Sequence, residues 1–373
     1  MRFRPLFLLA ALAAGSLFAA EEKLADGVYA EFATPRGTFV VELNYRQVPM
    51  TVASFVGLAE GTVAARAGKP FFSGLKWYRV VPGFVIQSGD PDHDKNADKE
   101  DAGHPYTFPD EFVPGLRHGQ LGVLSMANAG PDTNSCEFFL TLGDATRLNY
   151  MHSVFGHVFT GADVLPKIQP NDEFSVRILR VGESGRSFKA DAATFKALEE
   201  KAAKYSGEPE PGPTAHFDDP QKVLPTEVPR AKNFNYKLNN FQRATGRKLY
   251  ARVYPTFAPE EESQTPAAFT QKLAGVLGIY QSGALAVYFA DKDEWQLWVG
   301  DELMPAFNPE RKRVMDVKKP LYAAVKAKAA EYTELARKTR GPDNPLKPAD
   351  LAKYSVDAML DLLIFQFEPA PHP

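Results

Sequence analysis

The sequence predicts a closed or nearly closed antiparallel β-barrel followed by a small α/β domain. Three observations support this. From Gly27 to about Glu183, short apolar segments alternate with Gly, Pro and Asn, and only two stretches show helical spacing. Many short strands with few helices favour a closed barrel, because closure leaves no strand edge exposed. After a Pro-rich stretch, strands and helices alternate, as in a layered α/β domain. The 373 residues also exceed the usual size of one domain.

Residues 1–20 have the layout of a secretory signal peptide. Two arginines precede an apolar run from about Leu6 to Ala14, and the small residues Ala19 and Ala20 follow. The run is shorter than the roughly 20 residues that a membrane-spanning helix needs. We therefore expect cleavage, a periplasmic or secreted protein and no stable membrane insertion afterwards.

Charge and cysteine content narrow the classes of partner and site. Removing Arg2 and Arg4 with the signal peptide leaves 41 basic and 46 acidic residues, a net charge of −5. This balance gives no reason to expect nucleic acid as a partner. Cys136 is the only cysteine, so the chain has no intrachain disulfide. Its apolar context, SCEFFL, is typical of a small core residue.

The barrel elements follow in chain order. GTFVVEL (37–43) alternates with the period of a half-buried strand. TVASFVGLAEG (51–61) groups apolar residues at helical spacing, and its last glycine is placed to end the helix. A second short helix is predicted near 164–168. The further predicted strands are KWYRVV, GFVIQSG, GVLSMA, CEFFLTL, SVFGHVF and SVRILRV.

The pattern of apolar residues changes after the barrel. DAATFKALEEKAAKYSG (191–207) is predicted to be an amphipathic helix, and EPEPGP (208–213) a stiff spacer. The predicted organisation is therefore a barrel at 27–184, a helix and Pro-rich linker at 185–232, and an α/β domain at 233–368. In the last domain we predict strands at 248–255, 284–290 and 294–300 and helices at 266–278, 321–338 and 351–365.

Three stretches of the barrel region, FFSGLKWYRVVPGFVIQSGDP, GVLSMANAGPDTNSCEFFLTL and LNYMHSVFGHV, occur in an order and spacing that resemble cyclophilin. The resemblance covers roughly Gly27 to Glu183. It implies an eight-stranded antiparallel barrel capped by two helices. It also implies a peptidyl-prolyl cis-trans isomerase that acts on proline-containing polypeptides without a cofactor or metal.

The same resemblance implies roles for ten residues. Arg79 falls on the catalytic arginine. The residues implied to contact the substrate are Phe84 and Phe139 as pocket aromatics, Val85 and Leu148 as apolar wall, Gln87, Ala127 and Asn128, Glu137 where the family usually has glutamine, and His152 at the rim. Taken without the resemblance, Phe84 and Phe139 would be ordinary core residues, and His152 a rim residue without an essential role.

The chemistry of the reaction explains why these residue types suffice. Resonance gives rotation about an X–Pro bond a barrier of about 18–20 kcal/mol, so uncatalysed exchange takes tens of seconds. In the twisted state the prolyl nitrogen regains a lone pair, to which a fixed cation such as Arg79 donates better than to either planar state. A thousandfold acceleration needs only about 4 kcal/mol. Arg79 and Gln87 are eight residues apart, and this even separation allows both to face one groove.

Four departures from the family pattern affect these expectations. Glu137 could pair with Arg79 and either orient it or weaken its donation. Arg147 replaces a usual aromatic residue, which predicts a more open pocket and weak binding of cyclosporin. We expect neither Tyr78 nor Ser54 to touch the pocket. The acidic loop at 90–106 loosely imitates a calcium loop, but it lacks the glycine and glutamate of that motif, so a solvated loop is the favoured interpretation.

The second domain weakly resembles the small secreted α/β module called the TPM domain, in FNYKLNNFQRATGRKLYARVY, AAFTQKLAGVLGI and GALAVYFADKDEWQLWVGDEL. Some members of that module are reported as phosphatases, and Asp291, Asp293 and Asp301 could suggest a metal site, although surface turns account for them better. Two alternatives to an isomerase stay open at this point. One is a module that holds proline segments without turning them over, and the other is a hydrolase in the second domain. The partner of the second domain is unknown.

Overall fold

The computed structural model describes residues 24–370 apart from 67, 94–103, 208–209, 227–229 and 260–263. The first domain contains strands β1 (Gly27–Thr34), β2 (Gly37–Leu43), β3 (Ala65–Arg66), β4 (Lys69–Pro70), β5 (Arg79–Val81), β6 (Val85–Ser88), β7 (Val123–Met126), β8 (Phe138–Thr141), β9 (Val154–Thr160) and β10 (Ser175–Val181). Its helices are α1 (Pro49–Glu60), 3₁₀ turns at Thr146–Leu148 and Ala162–Lys167, α2 (Gly182–Ser187) and α3 (Ala192–Glu199).

The first sheet is the predicted eight-stranded antiparallel barrel, with strand order β10-β1-β2-β9-β7-β8-β6-β5. The ends of this order meet through the segments that precede β5 and β10. The amide of Trp77 donates to the carbonyl of Asp172 at 3.0 Å, and the amide of Phe174 donates to the carbonyl of Leu75 at 3.2 Å. An aromatic core fills the barrel, with Phe32 and Phe39 stacked 4.8 Å apart. The predicted fold class is therefore confirmed.

Helix α1 and the 3₁₀ turn at Ala162–Lys167 are the two helical segments predicted for the barrel. Pro49 stands in the first turn of α1, where its missing N–H is not needed. The carboxylate of Glu111 accepts from the free amides of Met50 and Thr51 at 3.2 and 2.7 Å. Gly61, with φ of 75°, ends the helix as predicted.

The segment predicted as a linker at 185–232 is partly built into the two domains. Helix α3 packs Phe195 into the barrel core beside Tyr106. The helix predicted for 191–207 ends at Glu199, and the carboxylate of Asp132 accepts from the amides of Tyr205 and Ser206 at 2.8 and 2.7 Å. These bonds hold the residues just before the spacer predicted at 208–213 against the barrel.

The second domain is a four-stranded mixed sheet with helices on both faces. Its elements are β11 (Phe217–Asp218), α4 (Arg230–Thr245), β12 (Lys248–Tyr254), α5 (Pro266–Val276), β13 (Gly283–Phe289), β14 (Glu294–Val299), α6 (Met304–Phe307), α7 (Val314–Arg340) and α8 (Pro348–Phe367). The strand order is β11-β12-β13-β14, parallel except for the β13–β14 pair. Helices α4, α7 and α8 cover one face of the sheet and α5 covers the other. This confirms the predicted α/β architecture.

The two domains meet at the barrel segment 144–150. The amide of Asn240 on α4 donates to the carbonyl of Tyr150 at 2.8 Å, and the hydroxyls of Thr146 and Tyr332 lie 2.9 Å apart. The buried ammonium of Lys237 donates to the carbonyl of Arg147 at 3.1 Å. Helices α4 and α7 therefore contact the segment 144–150 directly, so the linker is not the sole connection between the two domains.

Two sequence predictions fall wholly or partly outside the described residues. The signal peptide at 1–20 lies outside them, as do Asp94, Asp98 and Asp101 of the acidic loop. Within the part of the chain that the structure describes, no helix is both long and apolar enough to cross a bilayer.

Candidate active site

The hairpin of β5 and β6 places the predicted catalytic residues in one row of the barrel. Arg79 lies opposite Gln87, and Gln87 lies opposite Phe139 on β8. Directly opposed residues of neighbouring strands project from the same face of a sheet. The even spacing of Arg79 and Gln87 in the sequence therefore corresponds to direct cross-strand pairing. The turn between the strands contains Gly83, whose φ of 71° favours glycine.

The apolar residues predicted to hold proline form a cluster of their own, separate from the barrel core. Val85, Ala127 and Phe139 are buried in it, and Phe84 and Leu148 pack against them with part of their surfaces exposed. This arrangement favours the pocket interpretation of Phe84 and Phe139 over that of ordinary core residues. The row of Arg79 and Gln87 borders the cluster through Phe139.

Arg79 is exposed, and its guanidinium donates to the Gln87 side-chain oxygen at 2.9 Å. Its carbon Cζ lies 6.0 Å from the centroid of the Phe84 ring. Among the residues that the structure describes, Arg79 forms no salt bridge with a carboxylate. The guanidinium is thus held beside the apolar cluster by a neutral amide, and its remaining N–H groups are available to a ligand.

Glu137 interacts with Gln87 and His104 and not with Arg79. Its carboxylate accepts from the Gln87 amide at 3.2 Å, and its other oxygen lies 3.8 Å from Nε2 of His104. Burial alone would raise the pKa of Glu137, but the hydrogen bond and charge of His104 and the Tyr78 hydroxyl lower it overall. Tyr78 also accepts from Gln87 at 3.1 Å. The expectation that Tyr78 does not touch the site was therefore wrong, because Tyr78 and Glu137 together orient the Gln87 amide.

Ala127 and Asn128 lie at the other side of the cluster. The amide of Ala127 donates to the carbonyl of Glu137 at 3.0 Å. The Asn128 side chain donates to the carbonyl of Met151 at 2.9 Å and accepts from the amide of Gly130 at 3.3 Å. No hydrogen bond between described residues uses the backbone of Asn128. The side chain therefore orders the loop, and the backbone of Asn128 is available to pair with a peptide.

His152 contacts the pocket through an edge-to-face arrangement with Phe139, with ring centroids 5.5 Å apart. Its Nδ1 donates to the carbonyl of Met126 at 3.0 Å. Burial, together with the charge of Arg79, lowers the pKa of His152 to about 4. At neutral pH the ring is therefore uncharged, and Nε2 is an acceptor.

The sequence predicted that Arg147 leaves the pocket more open, and the structure shows that it does not. Its Cζ lies 4.1 Å from the centroid of the Phe84 ring and 5.7 Å from that of Tyr332 on α7. Guanidinium groups stack well on aromatic faces. The arginine therefore covers Phe84 in place of an aromatic side chain and joins the pocket to the second domain. Weak cyclosporin binding stays a prediction.

His118 is a buried support for the pocket that the sequence analysis missed. Its ring lies almost parallel to that of Phe139, with centroids 5.7 Å apart. Nδ1 donates to the Asn149 side-chain oxygen at 3.0 Å, and Nε2 lies 2.9 Å from the Ser125 hydroxyl. Nothing near the histidine in RHGQLG marks it as buried; only the register of β7 and β8 brings Ser125 opposite Phe139.

Among the described residues, one group of side chains is close enough together to hold a metal ion. Asp90, His104 and Glu137 each bring one ligand atom within 4.8 Å of the others. Histidine and carboxylate together suit a transition metal better than calcium, which prefers oxygen ligands. In the described part of the second domain, Asp291, Asp293 and Asp301 do not gather into such a group. Asp291 accepts from Thr256, and Asp293 accepts from Tyr288, which agrees with the interpretation of both as turn residues.

Comparisons with known proteins match the barrel domain of this chain. A family model described as cyclophilin type peptidyl-prolyl cis-trans isomerase/CLD matches residues 29–183. The probable peptidyl-prolyl cis-trans isomerase A of Mycobacterium leprae is 42% identical over 132 residues, which cover 34% of this chain and 70% of that protein. The peptidyl-prolyl cis-trans isomerase-like 1 protein of Aspergillus fumigatus is 34% identical over 163 residues, which cover 41% of this chain and 95% of that protein.

Among solved structures, a cyclophilin-type isomerase of Cryptosporidium parvum is 26% identical with a TM-score of 0.35, and the match covers 42% of this chain and 98% of that one. The assignment rests on the sequence relatives, since this chain covers most of their length at 34–42% identity. The chain therefore belongs to the cyclophilin-type peptidyl-prolyl cis-trans isomerase family.

Proposed function

We propose that this isomerase acts on proline-containing segments of exported proteins and that Arg79 provides most of the acceleration. The proline ring would occupy the cluster formed by Phe84, Phe139 and Leu148. Arg79 would donate to the prolyl nitrogen as the amide twists, because that nitrogen accepts a hydrogen bond only when it leaves the amide plane. The interaction is stronger in the twisted state than in either planar state, which is the condition for catalysis.

The observation that carries the proposal is the partner of Arg79. The guanidinium bonds to Gln87 and not to Glu137, although Glu137, just before β8, bonds to the same Gln87 side chain. A guanidinium paired with a carboxylate would have to exchange that partner for the substrate. Held by a neutral amide, Arg79 keeps its charge and its orientation for the twisted bond.

The exported context is supported by the layout of residues 1–20. N-terminal sequencing of the mature protein tests this part of the proposal, with a start after Ala20 as the expected result. A chain that keeps its first 20 residues and stays in the cytoplasm would contradict it.

The mechanism is tested by a protease-coupled assay on an Xaa-Pro peptide with wild type, Arg79→Ala and Arg79→Lys. We expect Arg79→Ala to lower kcat/KM by roughly 100-fold or more, since loss of one aimed donor has effects of that order. Arg79→Lys should recover part of the rate, because it keeps the charge but loses the planar fork. The melting temperature should change little, because Arg79 is exposed and fills no core space.

Arg177→Ala is the matched control. It removes an exposed arginine on β10 that pairs with Glu31 and should leave kcat/KM unchanged. Wild-type turnover in Arg79→Ala would contradict the mechanism. If the wild-type protein binds the peptide but leaves its cis-trans exchange at the spontaneous rate, the protein is instead a module that holds proline segments without isomerising them.

A further inference from the structure

A cavity of about 340 Å³ lies where the second domain meets the catalytic residues. We name it the junction cavity. Arg79, Phe84 and Arg147 line it from the barrel, and Arg230, Arg340 and Lys353 line it from the second domain. The second domain thus forms one wall of the space beside the catalytic guanidinium.

The junction cavity has an excess of positive charge. Asp357, the one carboxylate among the described residues that line it, lies 2.5 Å from Lys353. Arg340 makes two hydrogen bonds of 3.0 and 2.9 Å with Asp350. Within the described ranges of the chain, Arg147 and Arg230 have no carboxylate partner. Among the described residues, Arg79, Arg147 and Arg230 therefore surround one space without a carboxylate partner.

These cations act on each other. Burial lowers the pKa of Lys353, and the charges of Arg230 and Arg147 lower it further against the opposing effect of Asp357. Like charges in a partly desolvated site repel, and an anion entering the site would relieve that repulsion. Guanidinium groups suit a carboxylate in particular, because their N–H groups match its two oxygens.

The position of Arg147 is fixed by the second domain. Its guanidinium lies between the rings of Phe84 and Tyr332, and its carbonyl accepts from Lys237. Lys237 is itself buried and paired with Asp361, which accepts from the Tyr332 hydroxyl at 2.5 Å. This network makes the junction cavity a built feature of the domain contact rather than a gap between two mobile bodies.

We propose that the junction cavity is a subsite of the isomerase groove that binds a carboxylate of the substrate, so that the enzyme prefers prolines with an aspartate or glutamate close by in sequence. The inference rests on the proposed function. Arg79 and Arg147 both lie within 6.0 Å of the Phe84 ring centroid. An extended chain advances about 3.4 Å per residue, so the acidic residue should stand within about three positions of the proline.

The test uses the full chain and peptides that carry glutamate, glutamine or lysine at each of three positions on either side of one Xaa-Pro bond. Exchange NMR gives kcat/KM for each peptide. At one position or more, the glutamate peptide should exceed its glutamine isostere by about fivefold, and salt should reduce the difference. A ratio near one at every position would overturn the inference.

Variants of Arg230 identify the subsite. Arg230→Gln should bring the glutamate-to-glutamine ratio close to one, and Arg230→Glu should turn the preference towards the lysine peptide. A purely structural role would not reverse the preference. Arg337→Gln is the matched control, since Arg337 is an exposed arginine of α7 outside the cavity. An unchanged ratio in both Arg230 variants would also overturn the inference.

Arg79→Ala separates the inference from the proposed function. It should lower the rates on glutamate and glutamine peptides together. If wild type isomerises all peptides equally while Arg79→Ala is inactive, the carboxylate subsite is contradicted and catalysis by Arg79 is supported. If Arg79→Ala remains active, the mechanism fails whatever the peptide preference.

Discussion

At the scale of single residues, the side chains behind the pocket decide which charges the substrate meets. Glu137 is satisfied by Gln87 and His104, so it orients the amide that holds Arg79. His118, which is buried, and His152, which is half-buried, stay neutral because both pack against Phe139 and bond to neutral partners. The charges that border the proline pocket on the barrel side are therefore Arg147 and Arg79, with Cζ 4.1 and 6.0 Å from the Phe84 ring centroid.

The buried neutral state of His118 predicts a pH dependence of stability. Burial lowers the pKa of His118 to about 3 from 6.5. The unfolded chain binds a proton at this residue below pH 6.5 and the folded chain does not, so this contribution is present above pH 6.5 and is lost as the pH falls. Between pH 7 and 5 the loss should be about 2 kcal/mol.

Denaturant unfolding of wild type and His118→Gln at pH 7 and pH 5 measures this contribution. Burial raises the pKa of Asp110 to about 6, and this residue acts in the opposite direction in both proteins, so the comparison cancels it. We expect the free energy of unfolding to fall by about 2 kcal/mol more in wild type than in the variant. Equal pH dependence in the two proteins would show that His118 is accessible to protons.

At the scale of elements, close packing of β6 against β8 sets the geometry of the row that contains Gln87 and Phe139. Gly89 follows β6 with φ of 114°, and a Cβ there would lie 2.2 Å from the carbonyl oxygen of Cys136 and 2.7 Å from Cα of Glu137. Both are backbone atoms and cannot rotate away. Glycine is therefore required at this position both for conformation and for space.

Replacing Gly89 and Gly74 by alanine separates these two requirements. Gly74 has φ of 72°, but no described atom lies within 4 Å of its added Cβ. Gly74→Ala should destabilise by about 1–2 kcal/mol through backbone strain alone. Gly89→Ala should lose at least about 2 kcal/mol more, because β6 and β8 must separate, and isomerase activity should fall with it. Equal melting temperatures for the two variants would contradict this account.

The sequence predicted elements better than contacts between them. The barrel strands and pocket residues could be assigned because three local stretches carry them in a fixed order. Helix α4 was missed, although Phe234, Leu238 and Phe241 are buried on one face, because asparagines and lysines surround them and resemble a solvated surface. The junction cavity could not be predicted, because Lys237 and Tyr332 meet Arg147 and Thr146 across 90 and 186 residues of sequence.

At the scale of the whole molecule, the second domain is attached to the catalytic domain through buried polar groups. Lys237 on α4, whose side chain is 0% exposed and pairs with Asp361 of the same domain, donates to the carbonyl of Arg147 in the barrel. Tyr150 donates to the buried carboxylate of Glu368, which also pairs with Arg117. Such contacts require fixed geometry, so the two domains should unfold and move together.

Lys237→Met tests this coupling. It leaves the Asp361 carboxylate buried without its cation, which should lower the free energy of unfolding by about 3–5 kcal/mol. The double variant Lys237→Met/Asp361→Leu should recover much of the loss, because neither charge remains buried. Lys232→Met on the same helix removes a solvent-accessible lysine paired with Glu210 and should leave the free energy of unfolding almost unchanged. A mild effect of Lys237→Met would mean that water reaches the pair.

Met151 and Asn233 line both the junction cavity and a second cavity of about 600 Å³ beside Asn128. The first turn of α4 therefore stands alongside the catalytic residues as a fixed obstacle. A folded protein that displays a proline on a convex surface would clash with this turn. An unfolded, extended segment would fit beneath it. The enzyme should accordingly act on proline segments of chains that still lack tertiary structure.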